Sequence, residues 1–244
     1  DIGSDSSEEQ FYTRPFYGVM NALTYIVTPD SFLSNHLLLI ILLFIKGFTL
    51  YAIFKSLFPD MPLWGYLCAL LLIFYPSDTG IVSFRTFHHH LAIVMVLLSI
   101  YFLIQYYQHS HRRYILMMMI SQAIAGLSSE TGYPVFFFVP FIILVIEKRI
   151  SRRFIINTIL FYVVPALTFL YSFVLIVVVE TSWQRTAIGS YTIREYLRNI
   201  YNLYEYNFVT TWQNIGDYIT TQATPSDLFV FLATMLVTFI GSVA

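Results

Sequence analysis

The sequence predicts an all-α fold, a polytopic transmembrane helix bundle with about seven membrane segments and amphipathic interfacial helices in its outer loops. Composition is the first ground. Of 244 residues, 57% are apolar and only 11% charged. Soluble domains carry about a quarter charged residues, so this chain cannot cover its surface in water, and its mean hydropathy of +0.69 agrees. The second ground is the recurrence of apolar runs near membrane-spanning length. The third is the uneven placing of the few charges. Together they exclude a soluble globular enzyme and a disordered chain. A net charge of −1 supplies no basic patch, which excludes a nucleic-acid binder. The single cysteine, Cys68, excludes a disulfide framework and a thiolate metal cluster, and reads as a small packing residue.

A helix needs about 20 apolar residues to cross a bilayer. Seven segments approach that length: 34–54, 62–76, 91–107, 114–128, 132–147, 154–179 and 227–244. The second is short, and the fourth and fifth are only a few residues apart, so those three are read as tilted or partly re-entrant. The organisation is then an outer loop with an amphipathic helix over 1–33, a bundle of six segments over 34–179, a second outer loop with a helix over 180–226, and a truncated segment over 227–244. The chain opens at Asp1 without Met and stops at Ala244 inside an apolar run. It is therefore read as an internal piece of a larger membrane protein.

Orientation follows from Lys and Arg, which collect on the cytoplasmic side. The gaps 55–61, 108–113 and 148–153 carry Lys55, Arg112, Arg113, Lys148, Arg149, Arg152 and Arg153, seven of the 13 basic residues. The opposite class of loops is several times longer and carries only Arg14, Arg85, Arg185, Arg194 and Arg198, together with eleven of the 14 acidic residues, Asp227 standing at the edge of the last segment. The long loops are thus placed outside, on the extracytoplasmic or lumenal face, and chemistry is expected there.

Two outer stretches carry helix signals. Thr13-Arg14-Pro15 starts a helix, because proline at an early position loses an N–H that would be unpaired anyway. Phe16, Met20, Leu23 and Val27 then form one apolar face before Pro29. Further on, Thr192-Ile193-Arg194-Glu195 fits a capping box, followed by Ile193, Leu197, Ile200 and Tyr204 at helical spacing. Both helices are read as lying along the outer interface; the plainer reading is that they cover the top of the bundle.

Ionisable groups in or beside spans are costly and mark functional candidates. Lys46 sits in mid-span and must face the bundle interior, as a substrate contact or as a structural ion pair. Glu130 lies in Gly126-Leu127-Ser128-Ser129-Glu130-Thr131-Gly132-Tyr133-Pro134, a break whose irregular backbone is tolerated at membrane depth where it lines a cavity. The loop over 77–90 holds Arg85, whose planar fork matches a phosphate, and His88-His89-His90. Consecutive histidines do not share a helix face, and zinc sites use spaced ligands, so no metal or other cofactor is expected. Phosphate-binding glycine loops, Gly-x-Ser-x-Gly, His-Glu-x-x-His and Cys-x-x-Cys are all missing, against nucleotide hydrolysis and familiar proteolysis.

Four pieces in order carry a resemblance: Thr13-Arg14-Pro15-Phe16-Tyr17 after an acidic segment, Asn35-His36-Leu37-Leu38-Leu39 opening a span, Phe74-Tyr75-Pro76-Ser77 at the top of the short span, and Ser129-Glu130-Thr131-Gly132-Tyr133-Pro134. Over roughly residues 1–150 the chain resembles the GT-C class of polytopic membrane glycosyltransferases, particularly the protein O-mannosyltransferase-like, dolichyl-phosphate-sugar-dependent branch. The motifs are short. Tyr75 stands where that branch usually has His, and Ser129 where it has Lys.

The resemblance implies direct displacement at the anomeric carbon of a sugar carried on a polyprenyl phosphate. Asp5 or Asp1 would be the general base, unless that acid precedes Asp1. Arg14, Arg85 and His88 would hold the departing lipid phosphate, and Glu130 would line the cavity and orient donor or acceptor. The implied partners are a polyprenyl-phosphate-linked sugar, membrane lipids, a protein or glycan acceptor and a larger membrane assembly. Two competing readings stand beside it: a non-catalytic membrane subunit scaffolding a larger complex, and a transporter or flippase using Lys46 and Glu130 with breaks at Pro134, Pro140 and Pro165.

Overall fold

The computed structural model describes residues 14–29, 31–74, 87–178 and 192–205, with a few isolated positions beyond. Every regular element among the described residues is helical. The chain divides into two compact units, residues 1–185 and 186–244. In the first, α1 is Pro15–Val27, α2 Leu33–Leu57, α3 Pro62–Phe74, α4 Phe87–His109 and α5 Arg112–Ser128. A 3₁₀ turn at Glu130–Gly132 leads into α6 Tyr133–Phe136 and α7 Val139–Glu147, and α8 is Arg152–Val178. The second unit contributes α9, Ile193–Glu205.

Three of these helices, α2, α4 and the Arg152–Leu175 part of α8, are long and apolar enough to cross a membrane. They correspond to the predicted segments 34–54, 91–107 and 154–179. The segments 62–76 and 114–128 appear as helices of 13 and 17 residues. The segment 132–147 is broken into helices of 4 and 9 residues around a turn at Phe137–Phe138. The segment 227–244 lies outside the described residues.

Helix α4 is the centre of the unit. It packs against α2, α5 and the 3₁₀ turn, and most of its membrane-length window is buried. A two-residue link, Ser110-His111, folds α5 back along it, with Ser110 in the left-handed region at φ 56°. The α2–α3 hairpin closes on small residues, as membrane helices do to bring backbones together. A Cβ on Gly47 would overlap Ile73, and one on Gly65 would lie 2.8 Å from Phe54 Cβ.

The distribution of polarity is inverted relative to a soluble bundle. Buried side chains include Ser34, Asn35, Thr49, Ser99, Ser121, Gln122, Asn157 and Thr168, whereas Phe44, Phe138, Ile159 and Phe169 are exposed. Lys46, 1% exposed, does face the interior as expected. Such a surface is stable against lipid tails, which solvate apolar side chains as well as a protein core does. The same physics separates the apolar face of α1 from its packed face. Leu23 and Val27 are exposed, and the packed stripe runs through Tyr17, Met20 and Thr24. Thr24 is what docks the helix: its carbonyl accepts the Ser34 hydroxyl at 2.7 Å. Where lipid accepts apolar groups, a polar contact selects the buried face.

Pro165 interrupts the ladder of α8 and the turn at Phe137–Phe138 ends that of α6, and in each case a neighbouring helix supplies a donor to the carbonyl left over. Pro165, inside α8, has no N–H to return to the carbonyl of Phe161, four residues earlier. Gln122 of α5 donates its amide to that carbonyl at 2.9 Å. At the turn the Phe136 carbonyl is left over, and Pro140, in the first turn of α7, gives it no N–H. Tyr162 of α8 donates its hydroxyl to the Phe136 carbonyl at 2.8 Å. The aromatic pair Phe136–Phe161, with centroids 5.6 Å apart, fills the space between the two repairs.

In the second unit the capping box forms. The Glu195 carboxylate accepts the Thr192 N–H at 2.7 Å and its hydroxyl at 2.8 Å, and the Glu195 N–H returns to the Thr192 hydroxyl oxygen at 3.4 Å. The backbone hydrogen bond from Thr192, then its hydroxyl, and more weakly the nearby Arg198, hold this carboxyl below its ordinary range. A depressed carboxyl stabilises its fold above its unfolded pKa and loses that contribution as pH falls through the folded value. Amide protection over residues 193–197, taken relative to the intrinsic exchange rate at each pH, is therefore expected to fall as the pH is lowered through the acid side of the carboxylate range. Glu195→Gln, which keeps the reach but does not titrate, removes that pH step; a step of the same size in the variant contradicts the capping role.

Candidate functional site

The helical pitch of 100° per residue separates three consecutive histidines at the start of α4 onto different neighbours. His88 turns toward α1. Pro15 fixes where α1 begins, so Arg14 is the residue before the first turn, and its carbonyl accepts the Tyr17 N–H at 3.0 Å. From that position an Arg14 guanidinium N–H reaches His88 Nε2 at 3.5 Å, and the Tyr17 ring meets the His88 ring edge-on with centroids 4.8 Å apart. Arginine can only donate, so His88 accepts at Nε2. His90 is buried in the bundle.

His89 turns toward the end of α5. Ser129, the residue after the last turn, is buried, and its hydroxyl lies 2.8 Å from His89 Nδ1. The same oxygen accepts the Thr131 N–H at 3.3 Å and the Thr131 hydroxyl at 3.1 Å. A hydroxyl oxygen accepts two hydrogen bonds and donates one. With both acceptor places filled by Thr131, the Ser129 proton goes to His89 Nδ1, which leaves the imidazole proton on Nε2. Gly132 completes the attachment: a Cβ there would stand 2.8 Å from Val96 Cγ2 of α4. The backbone of Glu130 is thus pinned on both sides to α4, through Ser129–His89 and through Gly132–Val96.

Of the sequence-predicted site residues, Arg14 and His88 are brought together from positions 74 apart. The His88 and His89 rings lie 3.9 Å apart, so the Arg14–His88 pair and the turn bearing Glu130 share one end of α4. Asp1, Asp5, Arg85 and the Glu130 side chain lie outside the described residues. Among the described residues no group of three or more His, Cys, Asp or Glu side chains is placed to hold a metal ion. Sequence reasoning missed Tyr17, His89, Ser129 and Thr131 as members of this cluster. The Ser-x-Thr spacing at a helix end was the available signal, since such hydroxyls bond to nearby backbone.

The other end of α4 carries a second polar cluster. The Tyr107 hydroxyl donates to Glu147 Oε1 at 2.7 Å and accepts the Asn157 amide at 2.6 Å. Ser151 donates to the other carboxylate oxygen and caps α8 by accepting the Phe154 N–H at 2.9 Å. At 1.5 Å rise per residue, His88 and Tyr107 are separated by about 28 Å along the helix, close to the ~30 Å hydrocarbon core of a bilayer.

In comparison with protein-family models, with curated proteins and with solved structures, nothing matches the chain.

Ser129→Ala removes one oxygen that serves three groups. These hydrogen bonds are only partly buried, so each is worth about 0.5–1.5 kcal/mol, and the loss is expected as faster amide exchange confined to residues 129–132. Ser128→Ala is the control, because that hydroxyl bonds only back within its own helix, to Ile124 O at 2.6 Å. Equal exchange in both variants would sink the claim that His89 holds the turn.

Proposed function

We propose that the chain is the membrane core of a GT-C-like glycosyltransferase, moving a sugar from a polyprenyl-phosphate donor to an acceptor at the outer face. In this reading all seven apolar segments belong to one polytopic bundle, the basic loops lie in the cytoplasm, and the His88 end of α4 faces outward. The observation that carries it is the meeting of Arg14 with His88 beside the anchored turn of Glu130. That meeting supplies donors for a phosphate next to a segment bearing a carboxylate, at the depth where a lipid-linked phosphate would sit.

The chemistry is a single displacement. Asp5 or Asp1 takes the acceptor's hydroxyl proton, the acceptor oxygen bonds to the anomeric carbon with inversion, and the bond from that carbon to the phosphate oxygen breaks. Negative charge grows on the leaving polyprenyl phosphate, where Arg14 and Arg85 stabilise it, with His88 positioning the Arg14 guanidinium. Glu130 orients donor or acceptor within the cavity. The donor's lipid tail explains why an enzyme of this kind is so apolar.

The test is sugar transfer by the full chain in lipid, using a panel of synthetic polyprenyl-phosphate hexoses. Arg14→Ala is expected to lower the rate by about 10²–10³, the usual cost of removing an oxyanion donor. Asp5→Asn is expected to lower it by about 10²–10⁴ if Asp5 is the base, and Glu130→Gln to raise KM. Transfer that is indifferent to Arg14→Ala and Glu130→Gln contradicts the assignment.

A further inference from the structure

We propose that the end of the bundle opposite His88 is a binding collar for anionic phospholipid headgroups, a property independent of the sugar-transfer reading. Direct contacts gather five helix ends there. Gln108 of α4 donates to the Ser56 carbonyl of α2 at 3.4 Å, and Tyr107 joins α4 to Glu147 of α7 and Asn157 of α8. The two-residue link brings in the start of α5. Around this rim Lys55, Arg112, Arg113, Lys148, Arg149, Arg152 and Arg153 are all exposed. Among the described residues of this end only Asp60 and Glu147 oppose them, a net of +5. Glu147 is already engaged by Tyr107 and Ser151.

Two features mark the collar as more than a solvated helix end. First, Arg112-Arg113 and Arg152-Arg153 occupy the first turns of α5 and α8, where the helix dipole disfavours cations and favours an anion. The Glu147 carboxylate lies near Arg153 and Arg149 and offsets part of this charge, but the positive excess at the two first turns still favours an added anion. Second, three of the cations rest on tyrosine rings. Arg153 lies 5.0 Å from the Tyr107 centroid, Arg113 5.0 Å from that of Tyr114, and Lys55 6.0 Å from that of Tyr51. Paired tyrosine and cation at successive helix ends fit the headgroup layer, where the ring meets acyl chains and the cation meets phosphate. A headgroup phosphate between the Arg pairs of α5 and α8, with its acyl chains along the exposed apolar face of α8, satisfies both charge and hydrophobicity.

The experiment measures binding of a fluorescent-chain phosphatidylglycerol to the detergent-purified full chain, competed by unlabelled phosphatidylglycerol, phosphatidylcholine or glycerol phosphate. Phosphatidylglycerol is expected to compete at least tenfold better than phosphatidylcholine, a margin that shrinks as salt is raised. Glycerol phosphate, lacking acyl chains, is expected not to compete. Each basic side chain near an anionic surface is worth about fivefold, so Arg112→Gln/Arg113→Gln/Arg152→Gln/Arg153→Gln should abolish the preference. Arg194→Gln/Arg198→Gln on α9 should retain it. Should the fourfold variant fail to fold, the two pairs tested separately each reduce the preference. Equal competition by phosphatidylcholine, a preference unchanged in the collar variants, or equal competition by glycerol phosphate overturns the proposal.

Discussion

A backbone carbonyl inside hydrocarbon has no water to turn to, so each must find a donor within the protein. The first unit of this chain is organised around two places where that requirement is threatened. Pro165 withholds the N–H that Phe161 would receive in an unbroken helix, the turn at Phe137–Phe138 leaves the Phe136 carbonyl over, and side chains from neighbouring helices supply the donors. The two repairs meet at consecutive residues of α8: Phe161 supplies a carbonyl to Gln122, and Tyr162 supplies a hydroxyl to Phe136. One turn of α8 is therefore tied to α5 on one side and to the α6–α7 break on the other. Helix α8 buries little of its surface, so apolar contact alone holds it weakly, and these directional bonds fix its place.

The same rule shapes the rest of the unit. Because lipid receives apolar side chains readily, hydrophobicity does not decide which face of a helix turns inward; polar and small residues do. Thr24 docks α1, Gly47 and Gly65 close α2 on α3, and Lys46 is held in the interior. Helix α4 runs through the middle and carries a polar cluster at each end. At one end Arg14, His88 and the turn of Glu130 are drawn together. At the other, Arg153, Arg113 and Lys55 lie over tyrosine rings. Both clusters stand on rigid helix ends whose positions the buried contacts determine.

Much of this was legible in the sequence. Pro15 marked the start of α1, and Thr192 and Glu195 announced the cap of α9. The burial of Lys46 followed from the cost of a charge in lipid. Other features were hidden for a physical reason. The packed face of α1 could not be read from apolar periodicity, because Leu23 and Val27 are as stable in lipid as in a core. The break at Phe137–Phe138 sits inside an apolar run with no polar marker, and only Pro134 and Pro140 signalled it. Pro165 names the carbonyl that loses a partner by counting back four residues. Which neighbour answers it, or the carbonyl left at the turn, depends on tertiary packing, so Gln122 and Tyr162 were silent in the sequence, as was the oxygen-sharing of Ser129 with His89 and Thr131.

The most direct test of this account is a double-mutant cycle on unfolding of the full chain in bicelles, combining Gln122→Leu with Pro165→Ala. With Pro165 present, Gln122 is the donor to a stranded carbonyl; with alanine at 165, the helix N–H returns to Phe161 and the side chain is no longer needed. The account predicts a coupling of about 1 kcal/mol between the two sites, with Gln122→Leu more harmful in the proline background. Strictly additive effects would contradict it, since Gln122 would then be a packing residue and the ladder of α8 would be repaired by something else.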